Sequence, residues 1–225
     1  MRVSFFIGIA ALLCSPATAQ NTASAPPVTA PAHIAAVQHV TLTTAQGAII
    51  IAVEIERAPV SAANFLRYVD ARRLDGVTFY RAMDLGRGYG LIQGGTQGNP
   101  RTTFPAIAHE PTSRTGLSHT DGAISFARLA PGTASGDFFI TVGALTSLDA
   151  QAPGSGGDTD GFAVFGHVVQ GMDVVRAILA APTDPNAGAG VMRGQMIAAP
   201  VRIVRARRSV APVVGAAVVA PSPAP

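Results

Sequence analysis

The sequence predicts a mainly β protein of about eight strands and two helices, folded as one domain with a tail at each end. Three observations carry this. Runs of β-branched and aromatic residues recur along the chain, bounded by Gly, Pro, Asn and Asp. Two stretches, 58–73 and 172–180, read as helices. A hydrophobic content of 48% over 225 residues can bury one good core, while 13% charged residues is low for a soluble surface.

The elements follow in order. Residues 39–44 and 48–54 are two β-rich runs separated by Ala45-Gln46-Gly47, which reads as a hairpin. Pro59 suits a first helical turn, and Val60, Phe65 or Asn64, and Tyr68 or Val69 recur at 3.6-residue spacing. Residues 77–83 form a strand, 84–90 are turn-rich, and 91–93 run into Gly94-Gly95. Residues 96–122 lack periodicity and are rich in Gly and Pro, which makes a long ordered loop of the kind that is usually functional. Strands are expected at 123–128 and 137–142, a second loop at 154–161, a strand at 163–169, a short helix at 172–180 and a last strand around 196–204.

Within 77–83, period-2 geometry puts Phe79, Arg81 and Met83 on one face and Thr78, Tyr80 and Ala82 on the other. Both faces are mostly apolar, so Arg81 is the anomaly. Burying a guanidinium costs several kcal/mol, on the order of a lost salt bridge, unless it is paired or faces a groove. Two readings stay open: an ion pair with a carboxylate such as Asp84 or Asp137, or a fork of donors aimed at a ligand carbonyl.

The ends are compositionally distinct. Arg2, an apolar run over 3–14 and Ala17-Thr18-Ala19 make the three parts of a secretory signal peptide over residues 1–19. The run is too short for a permanent membrane anchor. Cys14, the only cysteine, lies inside this segment, so the exported chain should carry neither thiol nor disulfide. Residues 20–37 read as a flexible linker and 209–225 as a disordered Ala/Pro-rich tail, leaving 38–208 as the domain. The formal charge of +3 is carried by arginine, with no lysine in the chain, and is too small and scattered to argue for nucleic acid. Arg202, Arg205, Arg207 and Arg208 read as a solvated strand end.

Other constellations fall short of chemistry. Ser118, His119 and Asp121 crowd one polar loop, whereas triad members meet in space, and there is no G-x-S-x-G elbow. His109-Glu110 lacks the second histidine of a zinc motif. Asp158-Thr159-Asp160-Gly161 opens like a calcium loop without its closing glutamate. No helix follows the glycines of 86–90, so they make no dinucleotide loop.

In its motifs the chain resembles a known family. F-Y-R at 79–81, L-I-Q-G-G at 91–95, D-F-F-I-T-V at 137–142, L-D at 148–149 and A-V-F-G-H-V-V-Q-G-M-D-V-V at 163–175 stand in the order found in cyclophilin-type peptidyl-prolyl isomerases, and the match spans about residues 38–206. The resemblance implies a closed eight-stranded antiparallel β-barrel capped by two helices, and rotation about Xaa-Pro bonds without covalent chemistry, metal or cofactor. It implies Arg81 as the catalytic residue, and Leu91, Gln93, Phe126, Ala127, Arg128, Phe139, Leu148 and Phe162 as substrate-binding residues. The expected partners are proline-containing unfolded or secreted polypeptides met in the periplasm of a Gram-negative bacterium. Neither nucleic acid nor a stable membrane anchor is expected, and the expected form is a monomer.

The departures are specific. Gly90 stands where the family usually has phenylalanine, and Tyr89 is the candidate to supply the missing ring. Arg128 replaces a frequent asparagine, Asp137 a frequent glutamine, and Ser147 a tryptophan or phenylalanine. The thinner apolar wall gives a second reading: a proline-peptide-binding or chaperone module on the same barrel with little turnover.

Overall fold

The computed structural model describes residues 36–212. The expected signal peptide, and nearly all of the expected linker and tail, lie outside the described residues. Strand β1 (Val37–Thr44) and β2 (Gly47–Glu54) form the first hairpin. Its turn is held by Thr44, whose Oγ1 accepts the Gln46 N–H at 3.1 Å and donates to the Gly47 carbonyl at 2.8 Å. Then come α1 (Pro59–Asp70), β3 (Thr78–Gly86), β4 (Tyr89–Gly95), a one-turn α2 (Thr112–Thr115), β5 (Ala123–Phe126) and β6 (Asp137–Val142). A 3-10 turn (Thr146–Leu148), β7 (Ala163–Gln170), α3 (Met172–Leu179), the two-residue β8 (Thr183–Asp184), a second 3-10 turn (Gly190–Met192) and β9 (Met196–Ser209) complete the domain.

The strands hydrogen-bond in the order β1-β2-β7-β5-β6-β4-β3-β9, and a β1–β9 pairing closes the ring. β8 adds only to β9, outside that ring, so the closed barrel has eight strands, all paired antiparallel. Closure removes the unpaired edges that would otherwise template aggregation. Alternation fills the interior: Val40 and Leu42, Ile49 and Ile51, Ile124 and Phe126, Phe138 and Ile140 are all buried in one core. Burying each such side chain stabilises by about 1.5–3 kcal/mol. Helix α1 adds Phe65, edge-on to Phe138 at 5.6 Å and tilted against Phe165 at 5.0 Å. Helix α3 adds Val175 and Ile178.

Two features depart from simple alternation and from the expected roles. The pairing of β3 with β4 slips between Phe79↔Gly94 and Arg81↔Gln93, so one extra residue, Tyr80, is inserted. This β-bulge reverses the parity of the strand. Phe79 faces the core with Ala82, while Arg81 and Met83 face outward, so the expected sharing of a face by Phe79 and Arg81 fails. The long loop also differs: it is a clasp on α1. The buried Glu110 accepts the Val60 and Ser61 N–H groups at 3.1 and 2.6 Å, satisfying donors that α1 leaves unpaired at its start. Farther along, Phe104 packs edge-on to Tyr68 at 4.8 Å and donates its N–H to the Tyr68 hydroxyl. No residue of 96–122 lines the cavity described next.

Candidate active site

The outward faces of β3, β4 and β6 and the loops that flank them enclose a cavity of about 540 Å³. The bulge delivers Arg81 to it, and Gln93 lies opposite on β4. Arg81 Nη1 donates to Gln93 Oε1 at 2.7 Å, and Gln93 Nε2 donates to the Tyr80 hydroxyl at 2.7 Å. Both bulge residues thus grip one amide. Arg81 Nε donates to Gln195 Oε1 at 2.8 Å, and Nη2 approaches Met83 Sδ at 3.7 Å. Among the described residues no carboxylate pairs with Arg81: Asp84 accepts the Gly86 N–H at 2.7 Å and Asp137 the Gln97 N–H at 2.8 Å. Burial lowers the Arg81 pKa, though a guanidinium stays charged in any protein. Five N–H donors with two amide acceptors leave the outer nitrogens donors to spare.

The apolar side of the cavity is a small cluster of its own, built on Leu91, Phe139 and Leu145 with Met83, Ala127, Leu148 and Phe162 packed against it. Phe139 and Phe162 meet edge-on at 5.5 Å. Behind Phe139 the buried His119 ring stacks at 5.7 Å and 11°. Its Nδ1 lies 2.5 Å from Asp149 Oδ1, and Ser118 Oγ donates to Asp149 Oδ2 at 2.5 Å. Serine and histidine therefore both bond the carboxylate and not each other, which is no nucleophile–base pair. Asp121 instead accepts from Arg176 at 2.8 Å.

Arg81, Leu91, Gln93, Ala127, Arg128, Phe139, Leu148 and Phe162 all line this one cavity. Phe126 does not. Residues on β5 alternate, and Phe126 shares the inward parity of Ile124, so it lies in the barrel core against Phe165 at 4.5 Å and is 1% exposed. The Arg128 side chain is already committed: it donates to the Gly161 carbonyl, pairs with Asp158 at 2.6 Å and lies 4.9 Å from the Phe162 ring centre.

Tyr89 does not supply the missing ring, since it packs on Gly143, where a Cβ would come within 2.5 Å of that ring. Nor can position 90 carry a side chain, because a Cβ there would stand 2.3 Å from the Met83 carbonyl oxygen. Met83 lines the cavity and packs against the Leu91–Phe139 cluster. Ser147 is exposed and lies outside the lining. The sequence reasoning missed Met83, Tyr80 and the segment bearing Val191, Met192 and Gln195. Residue Gln195, 114 positions from Arg81, carries no local signal at all.

Comparison with known proteins agrees with this geometry. Residues 39–208 match the family model described as cyclophilin type peptidyl-prolyl cis-trans isomerase/CLD. Peptidyl-prolyl cis-trans isomerase A of Dickeya dadantii is 36% identical over 151 residues, which is 65% of this chain and 73% of that one. A peptidyl-prolyl cis-trans isomerase of Acinetobacter baylyi is 35% identical over 157 residues, 68% of this chain and 78% of that one. In fold, the chain is similar to a cyclophilin type isomerase of Cryptosporidium parvum solved in the presence of the dipeptide Ala-Pro, with a TM-score of 0.58 at 18% identity, covering 77% of this chain and 100% of that one.

Proposed function

This chain belongs to the cyclophilin-type peptidyl-prolyl cis-trans isomerases, and from that premise we propose that Arg81 is its catalytic donor and that the cluster around Phe139 holds the proline ring. Rotation about an Xaa-Pro bond faces a barrier of roughly 20 kcal/mol because the amide nitrogen is conjugated with its carbonyl. A donor that favours a pyramidal nitrogen binds the twisted amide more tightly than either planar form, which is what lowers the barrier. The observation that carries the assignment is the pair of neutral anchors on Arg81. Gln93 and Gln195 fix the guanidinium at the cavity wall without neutralising it, so its charge remains available to a substrate. Gln93, with one amide hydrogen and one lone pair uncommitted, is placed to hold the peptide backbone, and Leu91, Leu148 and Phe162 enclose the ring. The Ala-Pro dipeptide named for the related structure supports proline as the ligand.

The clients we infer are unfolded exported polypeptides, with the protein working as a folding helper in the periplasm. The tripartite segment 1–19 and the bacterial sources of the relatives support this. A second reading, a proline-peptide-binding module with little turnover, is favoured by one observation: position 90 can carry no side chain, so no ring can stand there.

A protease-coupled assay on a short Xaa-Pro peptide separates the readings. The expected result is turnover in wild type and a loss of roughly 100-fold to 1,000-fold in Arg81→Ala, with a melting curve close to wild type. Normal turnover in the variant would remove Arg81 from the role. Peptide binding without turnover in wild type would leave the binding module.

A further inference from the structure

Among the described residues, Asp137 is the only acid on the lining of the cavity. Its charge is met by the backbone N–H groups of Gln97 and Thr96 and by no cation among the described residues. The cavity's two arginines are engaged elsewhere: Arg81 with two glutamines, Arg128 with Asp158 and Gly161. Opposite Asp137 on β4 stands Gly95, where a Cβ would come within 2.5 Å of Asp137 Oδ1, so no side chain can cover the carboxylate from that strand. Thr133 and Ser135 make the same end of the cavity polar. Burial without a counter-charge raises the pKa of this carboxyl, so holding it ionised is costly unless something cationic arrives.

We propose that Asp137 selects proline peptides that carry a lysine or arginine one or two residues from the proline. The inference rests on Phe139 being the floor of the proline pocket. Asp137 and Phe139 are alternate residues of β6 on the same face, about 7 Å apart along the strand. An extended peptide advances about 3.3–3.6 Å per residue, so a basic side chain at either of those positions reaches the carboxylate while the ring stays seated.

The test uses peptides with Lys, norleucine or Glu at each of the two positions on either side of proline, assayed for binding by calorimetry and for turnover by the coupled assay. At one of these positions the wild type should favour Lys over Glu by about tenfold at low salt, and the preference should shrink at high salt. In Asp137→Asn and Asp137→Gln the ratio should fall to near unity, with circular dichroism checking the fold. An unchanged ratio in folded variants, or no preference in wild type, would overturn the proposal. Charge preference in binding without turnover would keep Asp137 and remove the isomerase reading of the site, whereas turnover without preference would do the reverse.

Discussion

Gln195 Oε1 accepts the Nε–H of Arg81 at 2.8 Å across the seam between β3 and β9, while the Gln195 amide donates to the Val191 carbonyl at 2.8 Å. The backbone reinforces the contact, since the Ala82 N–H donates to the Gln195 carbonyl at 2.9 Å. A segment just before the last strand thereby sets the direction of a guanidinium on the third. Gln195 touches no reacting atom on this reading; it positions one that does.

Replacing Gln195 with alanine should lower kcat by about threefold to tenfold and leave KM nearly unchanged, because a lost hydrogen bond to a charged group is worth about 1.5–3 kcal/mol and water can replace part of it. Steady-state kinetics on one Xaa-Pro peptide reads the split. A variant in which KM alone moves would show that Gln195 binds peptide and does not orient Arg81.

Arg81→Lys should behave more like Arg81→Ala than like wild type. Lysine keeps the charge but lacks the planar fork that lets one side chain bond Gln93 and Gln195 from different nitrogens and still face the cavity. Recovery of more than about a tenth of wild-type turnover would mean that charge alone suffices, in conflict with the role given to geometry.

Removing the clasp should cost stability and spare the site. Glu110→Ala strands two N–H groups of α1 and frees Arg114, which pairs with Glu110 at 3.1 Å from an exposed position. The loss expected is about 2–4 kcal/mol, nearly all of it from the buried N–H bonds and little from the exposed ion pair. Chemical denaturation gives the figure; turnover measured well below the melting range should match wild type. A destabilisation under about 0.5 kcal/mol would mean that solvent caps the helix equally well.

How far the sequence carried depended on whether the signal was local. Strands such as β1 and β6 were legible because alternation or continuous apolarity repeats over neighbouring residues, and α1 because Pro59 marks its start. The Tyr80 bulge was not, because an extra residue is defined only by the partner strand it slips against. Phe126 and Phe139 look alike as isolated phenylalanines on strands; parity with Ile124 buries the first, while pairing with Gln93 turns the second to the cavity. Glu110 resembled half of a zinc motif because sequence shows its neighbour His109 and hides its true partners about 50 residues upstream. Met83 was placed on the Arg81 face, but that it lines the cavity depends on the bulge and on its packing against residues distant in sequence.

The last prediction concerns the imidazole behind Phe139. His119 is fully buried, and burial lowers its pKa, an effect that Asp149 opposes but does not overcome. In its neutral form Nδ1–H donates to Asp149, while Nε2 has no partner among the described residues. In the unfolded chain the same group titrates near 6.5, roughly the ordinary histidine value. Between that value and the lower native one, the unfolded state binds a proton that the native state does not, so stability rises with pH across the window. Stability from this group is thus fully present above about pH 6.5 and is lost as pH falls toward the native pKa. Melting midpoints measured from neutral to mildly acidic pH should fall in wild type, and His119→Asn, which cannot titrate, should flatten the slope even though it is less stable throughout. Turnover of the folded protein should hold across that window and fall only at lower pH, where native His119 itself takes the proton and sets a charge 5.7 Å behind the ring that forms the cavity floor. Parallel slopes in wild type and variant would place the acid sensitivity on other groups and leave His119 as packing alone.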